Sequence, residues 1–299
     1  MHNSCLPLVI GTAQLGLPYG IANKTGQPNQ SAATAIVREA WESGIREFDT
    51  AQRYGISEQV LGKALSELGI SKEAKVISKL DPNLNHLDAS TISNAIGESL
   101  GKLGVHSLFG IMLHNESLLS LWDKGLSEIL FDVVSSKRVK HLGVSVYSPD
   151  KAIQSLNTEG IDMVQLPANI LDRRFENAGV FQLANKNKKQ IYIRSIFLQG
   201  LILMKVEEIP EELSFIKPIL EKLESLSIEF GLTKKEIAIG YLKSEMPEAR
   251  IIFGVETQEQ VRENAAAWGE KVPDSLSRKV KEIFVDINER VLNPTLWST

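Results

Sequence analysis

Short apolar runs alternate along this chain with longer stretches in which apolar residues recur every three or four positions. The first pattern predicts buried strands and the second predicts amphipathic helices. Leu8–Gly11 is a short strand that stops at G-T-A-Q-L-G, and Gly16 and Gly20 mark the following stretch as loop. The spacing of Ala33, Ile36, Val37, Ala40 and Trp41 predicts a helix over Ser31–Ser43, which feeds a strand over Ile45–Phe48. Ser57 is placed to cap the next helix, whose face holds Leu61, Ala64, Leu65 and Leu68. Strand Lys75–Ser78, helix Ala89–Lys102, strand Leu108–Leu113 and a helix over Leu126–Ser135 complete the first half.

The alternation continues. Strand His141–Val144 ends at Ser145, and Ser148-Pro149 opens a helix with proline at an early position. Strand Met163–Leu166, helix Asn177–Ala184 and strand Ile191–Ile193 follow. A looser stretch from Phe197 to Phe215 leads to helices Lys217–Glu229 and Lys234–Ser244, strand Arg250–Phe253, helix Gln258–Ala267 and a last helix near Asp274–Asn288. Eight strands, each followed by helix, predict one α/β domain over residues 1–299, a closed (β/α)₈ TIM barrel with a C-terminal helix and a short tail. A doubly wound sheet is the competing arrangement, but the turn after the first strand lacks the middle glycine of Gly-x-Gly-x-x-Gly.

Composition narrows the functional classes. The 299 residues are 43% hydrophobic and 23% charged, with a net charge of −4 and no block of like charge. That gives no electrostatic footprint for nucleic acid or an anionic membrane. The single cysteine, Cys5, forms no internal disulfide and no cysteine metal cluster. Leu6–Ile10 is too short for a signal sequence, and no apolar run approaches the ~18 residues of a membrane span. The expectation is a cytoplasmic protein. Its oligomeric state is not legible.

Barrel active sites lie at the carboxyl ends of the strands. Asp49, Lys79 and His114 fall at three successive strand ends, and Tyr54 follows Asp49 by five residues. Taken singly, the acid is as often a helix cap, the lysine solvated surface, the histidine hydrogen-bonded core and the tyrosine rim packing. Together they make a proton-transfer set. A phenol titrates near 10, and a neighbouring ammonium lowers that value. A carboxylate paired with the lysine would keep it charged and in place. Tyr54 then serves as general acid toward a carbonyl, with His114 orienting the same oxygen. Reduction needs a bound hydride donor, because no side chain supplies one.

The motifs D-T-A-Q-R-Y-G-x-S-E-x-x-L-G, V-I-S-K-L and M-L-H-N resemble those of the aldo-keto reductases, over nearly the whole chain. The resemblance implies a (β/α)₈ barrel that uses NADPH, less often NADH, and no metal, on a small-molecule carbonyl substrate. It assigns the catalytic Asp, Tyr, Lys and His to Asp49, Tyr54, Lys79 and His114. It also implies nicotinamide-side contacts from Gly11, Thr12, Ser145 and Gln165, with Asn169 matching a recurrent Asn. Arg194 stands where the family usually presents a stacking aromatic, and Val146 where it has Asn. Phe197, Leu198 and Gly200 match the pyrophosphate loop, and Gly254, Thr257, Gln260 and Asn264 match the adenosine-phosphate loop and its helix. Many NADPH-binding members have Lys and Arg at the positions of Gly254 and Gln260. Both are missing here and Glu256 is added, which leaves Arg262 as the one cation nearby in sequence. NADPH is the first expectation from the family, and NADH stays open.

Two other functions fit the same residues. Lys79 as an amine nucleophile would make a Schiff-base lyase. A nicotinamide-binding regulatory or partner subunit would keep the fold with little turnover. His86, Trp122, Tyr147 and Trp297 lie near strand ends or in the tail and are candidates for the substrate pocket.

Overall fold

A computed structural model describes residues 5–297. Its centre is a closed parallel barrel in chain order: β1 (Leu8–Gly11), β2 (Glu47–Asp49), β3 (Lys75–Leu80), β4 (Leu108–Leu113), β5 (Val139–Ser145), β6 (Met163–Pro167), β7 (Gln190–Arg194) and β8 (Arg250–Gly254). β8 pairs back onto β1, with Gly11 opposite Gly254. The expected (β/α)₈ barrel is therefore the observed fold. Among the described residues no helix is long and apolar enough to cross a membrane.

Boundaries moved where local chemistry overrode spacing. The first large helix runs Gln30–Glu42, one residue earlier than the spacing indicated, because the Asn29 side chain accepts the Ala32 amide as its cap. Ser57 does not cap its helix. Its hydroxyl is turned inward and donates to the Thr12 carbonyl at 2.7 Å. Ala13–Gly16, expected as loop, is one helical turn. The segment expected as helix Asn177–Ala184 splits into Arg174–Asn177 and Val180–Asn187, with Gly179 between them at φ +71°. The last helix ends at Ile283 instead of near Asn288, and a short turn, Glu289–Leu292, follows.

The alternation of side chains along a strand explains how the barrel builds a site. One interior layer is apolar: Val9, Ile77, Met112, Met163, Tyr192 and Ile252 form a cluster separate from the core under the helices. Two residues further along the same strands stand Gly11, Lys79, His114, Gln165, Arg194 and Gly254. Glu47 belongs with the lower layer and Asp49 with the upper one. Buried Glu47 accepts from the Tyr192 hydroxyl at 2.9 Å and has Lys75 and Arg250 at 3.5 and 3.7 Å. The barrel is thus plugged below and polar above, as a period of two requires.

Two glycines fix the turn that carries Tyr54. A Cβ on Gly16 would collide with the Tyr54 carbonyl and would lie 2.5 Å from the Ser57 amide nitrogen. Gly55 adopts φ +56°, and a Cβ on it would strike the Gly16 carbonyl. The loop after β1 can approach the loop after β2 only because both positions lack a side chain. Gly16→Ala is expected to cost ~1–3 kcal/mol through overpacking and to lower turnover by displacing Tyr54. Urea denaturation and steady-state rates check both effects, and unchanged values would show that the loop yields without moving the tyrosine.

Candidate active site

Lys79 is fully buried at the upper end of β3, and its ammonium lies among oxygens. It donates to both carboxylate oxygens of Asp49 at 2.8 and 2.7 Å, to the Thr50 carbonyl at 3.0 Å and to the Tyr54 hydroxyl at 3.4 Å. Burial works against its charge, but Asp49 and Tyr54 outweigh burial and raise its pKa. Asp49 also accepts from the Gln165 amide at 2.7 Å, across the barrel from β6. Removing one member of such a pair strands the other charge, at a cost of about 3–5 kcal/mol.

Tyr54 shows a competition that the sequence does not display. Burial raises its pKa, and Lys79, the next largest influence, lowers it without cancelling the rise. The expectation of a net lowering by the lysine is therefore corrected: packing of the ring outweighs the ammonium, and the phenol stays protonated at neutral pH. The Lys79 ammonium also lies 4.9 Å from the centre of the Tyr54 ring.

His114 meets Tyr54 edge-on, with ring centres 5.7 Å apart. Burial, then the charges of Lys79, Arg194 and Arg53, lower its pKa from 6.5 to about 4. It is neutral across the physiological range. Its Nδ1 is buried without a partner. An orphaned N–H costs more than an orphaned lone pair, so the tautomer with the proton on Nε2 is favoured.

Asp49, Tyr54 and His114 share one cavity of about 620 Å³, and Lys79 lies buried behind them. Gly11, Thr12, Asp49, Tyr54 and His114 line its floor, with Ser145, Gln165 and Arg194 beside them. Phe197 and Gly200 line the wall formed by the loop after β7. Gly254, Gln260 and Asn264 line the far end. Thr12 is tied to the site from below, its hydroxyl donating to the Asp49 carbonyl at 3.0 Å. The loops after β1 and β7 meet at the cavity through Lys24–Glu208 at 2.9 Å and the Ala22 amide to the Gln199 carbonyl at 3.4 Å.

Several expected residues have other duties. Leu198 is buried in the core and Thr257 caps helix Gln258–Gly269, so neither lines the cavity. The Asn169 side chain closes its own turn, accepting the Leu171 and Asp172 amides and donating to the Ser195 carbonyl. Val146 contributes backbone alone, its carbonyl accepting from Arg194 at 3.3 Å and its amide donating to the Gln165 carbonyl at 2.8 Å. Of the four pocket candidates only Tyr147 is at the cavity, under the Arg194 guanidinium at 4.2 Å. His86 is buried, Trp122 packs edge-on against Phe131, and the Trp297 indole donates to the Arg290 carbonyl.

Arg262 does not face the cavity. It pairs with Glu39 at 2.6 Å on helix Gln30–Glu42. The cation that does line the far end is Lys235, paired with Glu263. Sequence reasoning missed it because it lies more than twenty residues from the loop it faces. Tyr19 and Lys24 were missed for another reason: a glycine-rich stretch without periodicity gives no side-chain direction.

The residues fit a nicotinamide dinucleotide. The cavity is of ligand size, Gly11 adds no side chain to its lining, the Gln14 side chain lies over Gly254, and Asn264 leaves a buried Oδ1 without a partner among its lining residues. Among the described residues no group of three or more His, Cys, Asp or Glu side chains is arranged to hold a metal ion.

The titration of His114 makes a stability prediction. Its pKa is depressed in the fold, so below pH 6.5 the unfolded chain takes up a proton that the folded chain refuses. Stability from this group is full above pH 6.5 and is lost as pH falls toward 4. Between pH 7 and 4.5 the loss is roughly 2 kcal/mol. His114→Gln should remove about that much of the acid sensitivity in urea titrations at the two pH values. A variant as acid-sensitive as the parent would contradict the assignment.

The comparisons agree with this geometry. The sequence model of the Aldo/keto reductase family matches residues 7–284. The chain is 25% identical over 292 residues to the NADH-specific methylglyoxal reductase of Escherichia coli (strain K12), covering 86% of this chain and 89% of that protein. Its fold is similar to the glycerol dehydrogenase of Gluconobacter oxydans, with a TM-score of 0.77, 20% identity, and 98% of this chain and 95% of that one covered. It is also similar to an aldo/keto reductase of Klebsiella pneumoniae solved in complex with NADP and acetate, with a TM-score of 0.72, 17% identity, and 93% and 91% covered. A family match over most of the chain, on a closed barrel with the Asp49–Lys79 pair beside Tyr54 and His114, makes this protein an NAD(P)H-dependent oxidoreductase, a member of the aldo/keto reductase family.

Proposed function

We propose that this chain reduces the carbonyl of an aldehyde, ketone or sugar, with Tyr54 as proton donor. The observation that carries the reading is the meeting of the Tyr54 hydroxyl, the buried Lys79–Asp49 pair and a neutral His114 at the floor of one cavity. A bound reduced nicotinamide supplies the hydride. Gly11 would let it approach the backbone, Gln165 and Ser145 would contact its nicotinamide side, and Asn264 would accept from its adenine end.

The chain's own residues handle the proton. Tyr54 stays protonated to high pH and gives its hydroxyl proton to the carbonyl oxygen. His114, with its proton on Nε2, donates a hydrogen bond to the same oxygen and orients it. Lys79 keeps its charge through Asp49 and stabilises the phenolate left behind. Against the lyase reading, Lys79 is held by four oxygen contacts and its pKa is raised, so it presents no free amine.

We infer also that NADH serves at least as well as NADPH. Glu256 lines the far end of the cavity, and burial raises the pKa of its carboxyl, as expected for a charge with little to stabilise it. Lys235 is already paired with Glu263, and Arg262 with Glu39. A 2′-phosphate would meet Glu256 without a free cation to offset it. The NADH-specific Escherichia coli relative supports this preference.

Two measurements test these readings. Tyr54→Phe should lower carbonyl reduction by roughly 10²–10⁴-fold and leave nucleotide binding nearly intact. Near-native turnover in the variant would remove Tyr54 from the mechanism, whereas a parent chain that binds nucleotide but reduces none of a broad carbonyl panel would favour a regulatory role. Glu256→Lys should shift the NADPH-to-NADH affinity ratio toward NADPH by roughly tenfold. Unit charges about 6 Å apart at an effective dielectric near 20 interact by roughly 3 kcal/mol before screening, and tenfold needs about 1.4 kcal/mol. An unchanged ratio in fluorescence titrations would mean that Glu256 does not face the phosphate.

A further inference from the structure

Arg53 precedes Tyr54 and enters the chemistry above only through the charge it adds near His114. A second lobe of the site, about 500 Å³, opens beside Tyr54 and His114, and Arg53, Tyr19, Glu116 and Tyr147 line it. The Arg53 side chain is 50% exposed, and its one carboxylate neighbour is Asp81 at 3.5 Å. That separation is too long for a good hydrogen bond. Asp81 is itself engaged, its Oδ1 accepting the Asn83 amide at 2.9 Å. The guanidinium is therefore steered by a carboxylate but not saturated by it.

The other charges in and beside the lobe are accounted for differently. Glu116 accepts the Tyr147 and Ser148 amides at 2.6 and 3.2 Å, at the N-terminus of helix Pro149–Asn157. Backbone dipoles take up its charge. Lys79 is neutralised by Asp49. Arg194, among the described residues, has no carboxylate partner; it lies on the Tyr147 ring and donates to the Val146 carbonyl and the Ser195 hydroxyl. Arg53 in the lobe and Arg194 in the adjoining cavity are thus two guanidinium groups with spare donors, and Glu116, the carboxylate that lines the lobe, is already engaged.

We propose that the substrate carries an anionic oxygen group, a carboxylate or a phosphate ester, and that Arg53 binds it while the carbonyl lies at Tyr54 and His114. The proposal rests on the reductase reading and adds a substrate class to it. A planar guanidinium with open donors matches a carboxylate or phosphate in two-pronged fashion. The aromatic rings of Tyr19 and Tyr147 line the lobe beside Arg53, and protein on those sides lowers the local dielectric below that of bulk solvent. A neutral carbonyl compound gains nothing from Arg53.

The test uses matched pairs: succinic semialdehyde against butanal for the carboxylate, and glycolaldehyde phosphate against glycolaldehyde for the phosphate. The parent chain should favour at least one anionic member by tenfold or more in kcat/KM, and the favoured arm identifies the group. Arg53→Gln should lower that ratio about tenfold, and Arg53→Lys should restore part of it. Asp81→Asn, which keeps the oxygen that accepts the Asn83 amide, should raise the ratio by releasing Arg53. Added salt should lower it. Equal treatment of both members, or a ratio that Arg53→Gln leaves unchanged, overturns the proposal. Saturation-transfer NMR with 4-hydroxybutyrate against 1-butanol reads the same preference without turnover. A chain that reduces neither aldehyde, yet keeps an Arg53-dependent preference for 4-hydroxybutyrate, retains the charged subsite and loses the reductase reading instead.

Discussion

The ion pair between Asp49 and Lys79 is the constraint on which the site depends. Two opposite charges sit at the upper end of the barrel with almost no access to water. Isolated, either would be expelled or neutralised, because desolvating a charge costs several kcal/mol. Together they are tolerable, and the remaining lone pairs and protons find partners in Gln165 and the Thr50 carbonyl. The pair therefore ties β2 to β3 and reaches β6, so three strands must be in register for it to exist. The Lys79 ammonium that the pair holds in place then opposes the effect of burial on Tyr54 and helps keep His114 neutral.

The layer beneath makes this polar layer possible. Val9, Ile77, Met112, Met163, Tyr192 and Ile252 fill the interior immediately below the site. They exclude water from that side and hold the strand ends rigid. The one acid in the lower layer, Glu47, is satisfied by Tyr192 and flanked by Lys75 and Arg250. Catalytic groups on strand ends inherit the precision of the barrel, while the loops above them shape what can enter.

The two ends of the cavity differ in charge. At the far end Glu256 lines the cavity with Lys235, which is paired with Glu263. In the adjoining lobe Arg53 has Asp81 at 3.5 Å, and Arg194, which lines the cavity, lies on the Tyr147 ring without a carboxylate partner among the described residues. A single field of one sign does not explain this arrangement. It suits two ligands, each read by charges close at hand, because screening limits such effects to about 10 Å at ordinary ionic strength.

Much of this was legible in the sequence because strand periodicity is local. Apolar runs marked the strands, and the residue ending each run marked the barrel's upper rim, so Asp49, Lys79 and His114 were found without coordinates. Tyr54 followed from its place one turn beyond. What the sequence left undecided depended on groups far apart along the chain. Ser57 had the composition of a helix cap, but the approach of the loop after β1 turned its hydroxyl to Thr12. Arg262 was nearest in sequence to the adenosine loop, yet a neighbouring helix offered it Glu39, and Lys235 stands at the cavity instead. Leu198 was drawn into the core by packing that no spacing announces. The Tyr54 pKa went up because burial outweighed the ammonium, and burial is a sum over neighbours that only the folded chain brings together. Sequence alone determined which residues stand on the barrel's rim, since that follows from a two-residue repeat; the tertiary structure decided which of them face the cavity, with which partners and at what charge, because those depend on contacts between strands and loops far apart in the chain.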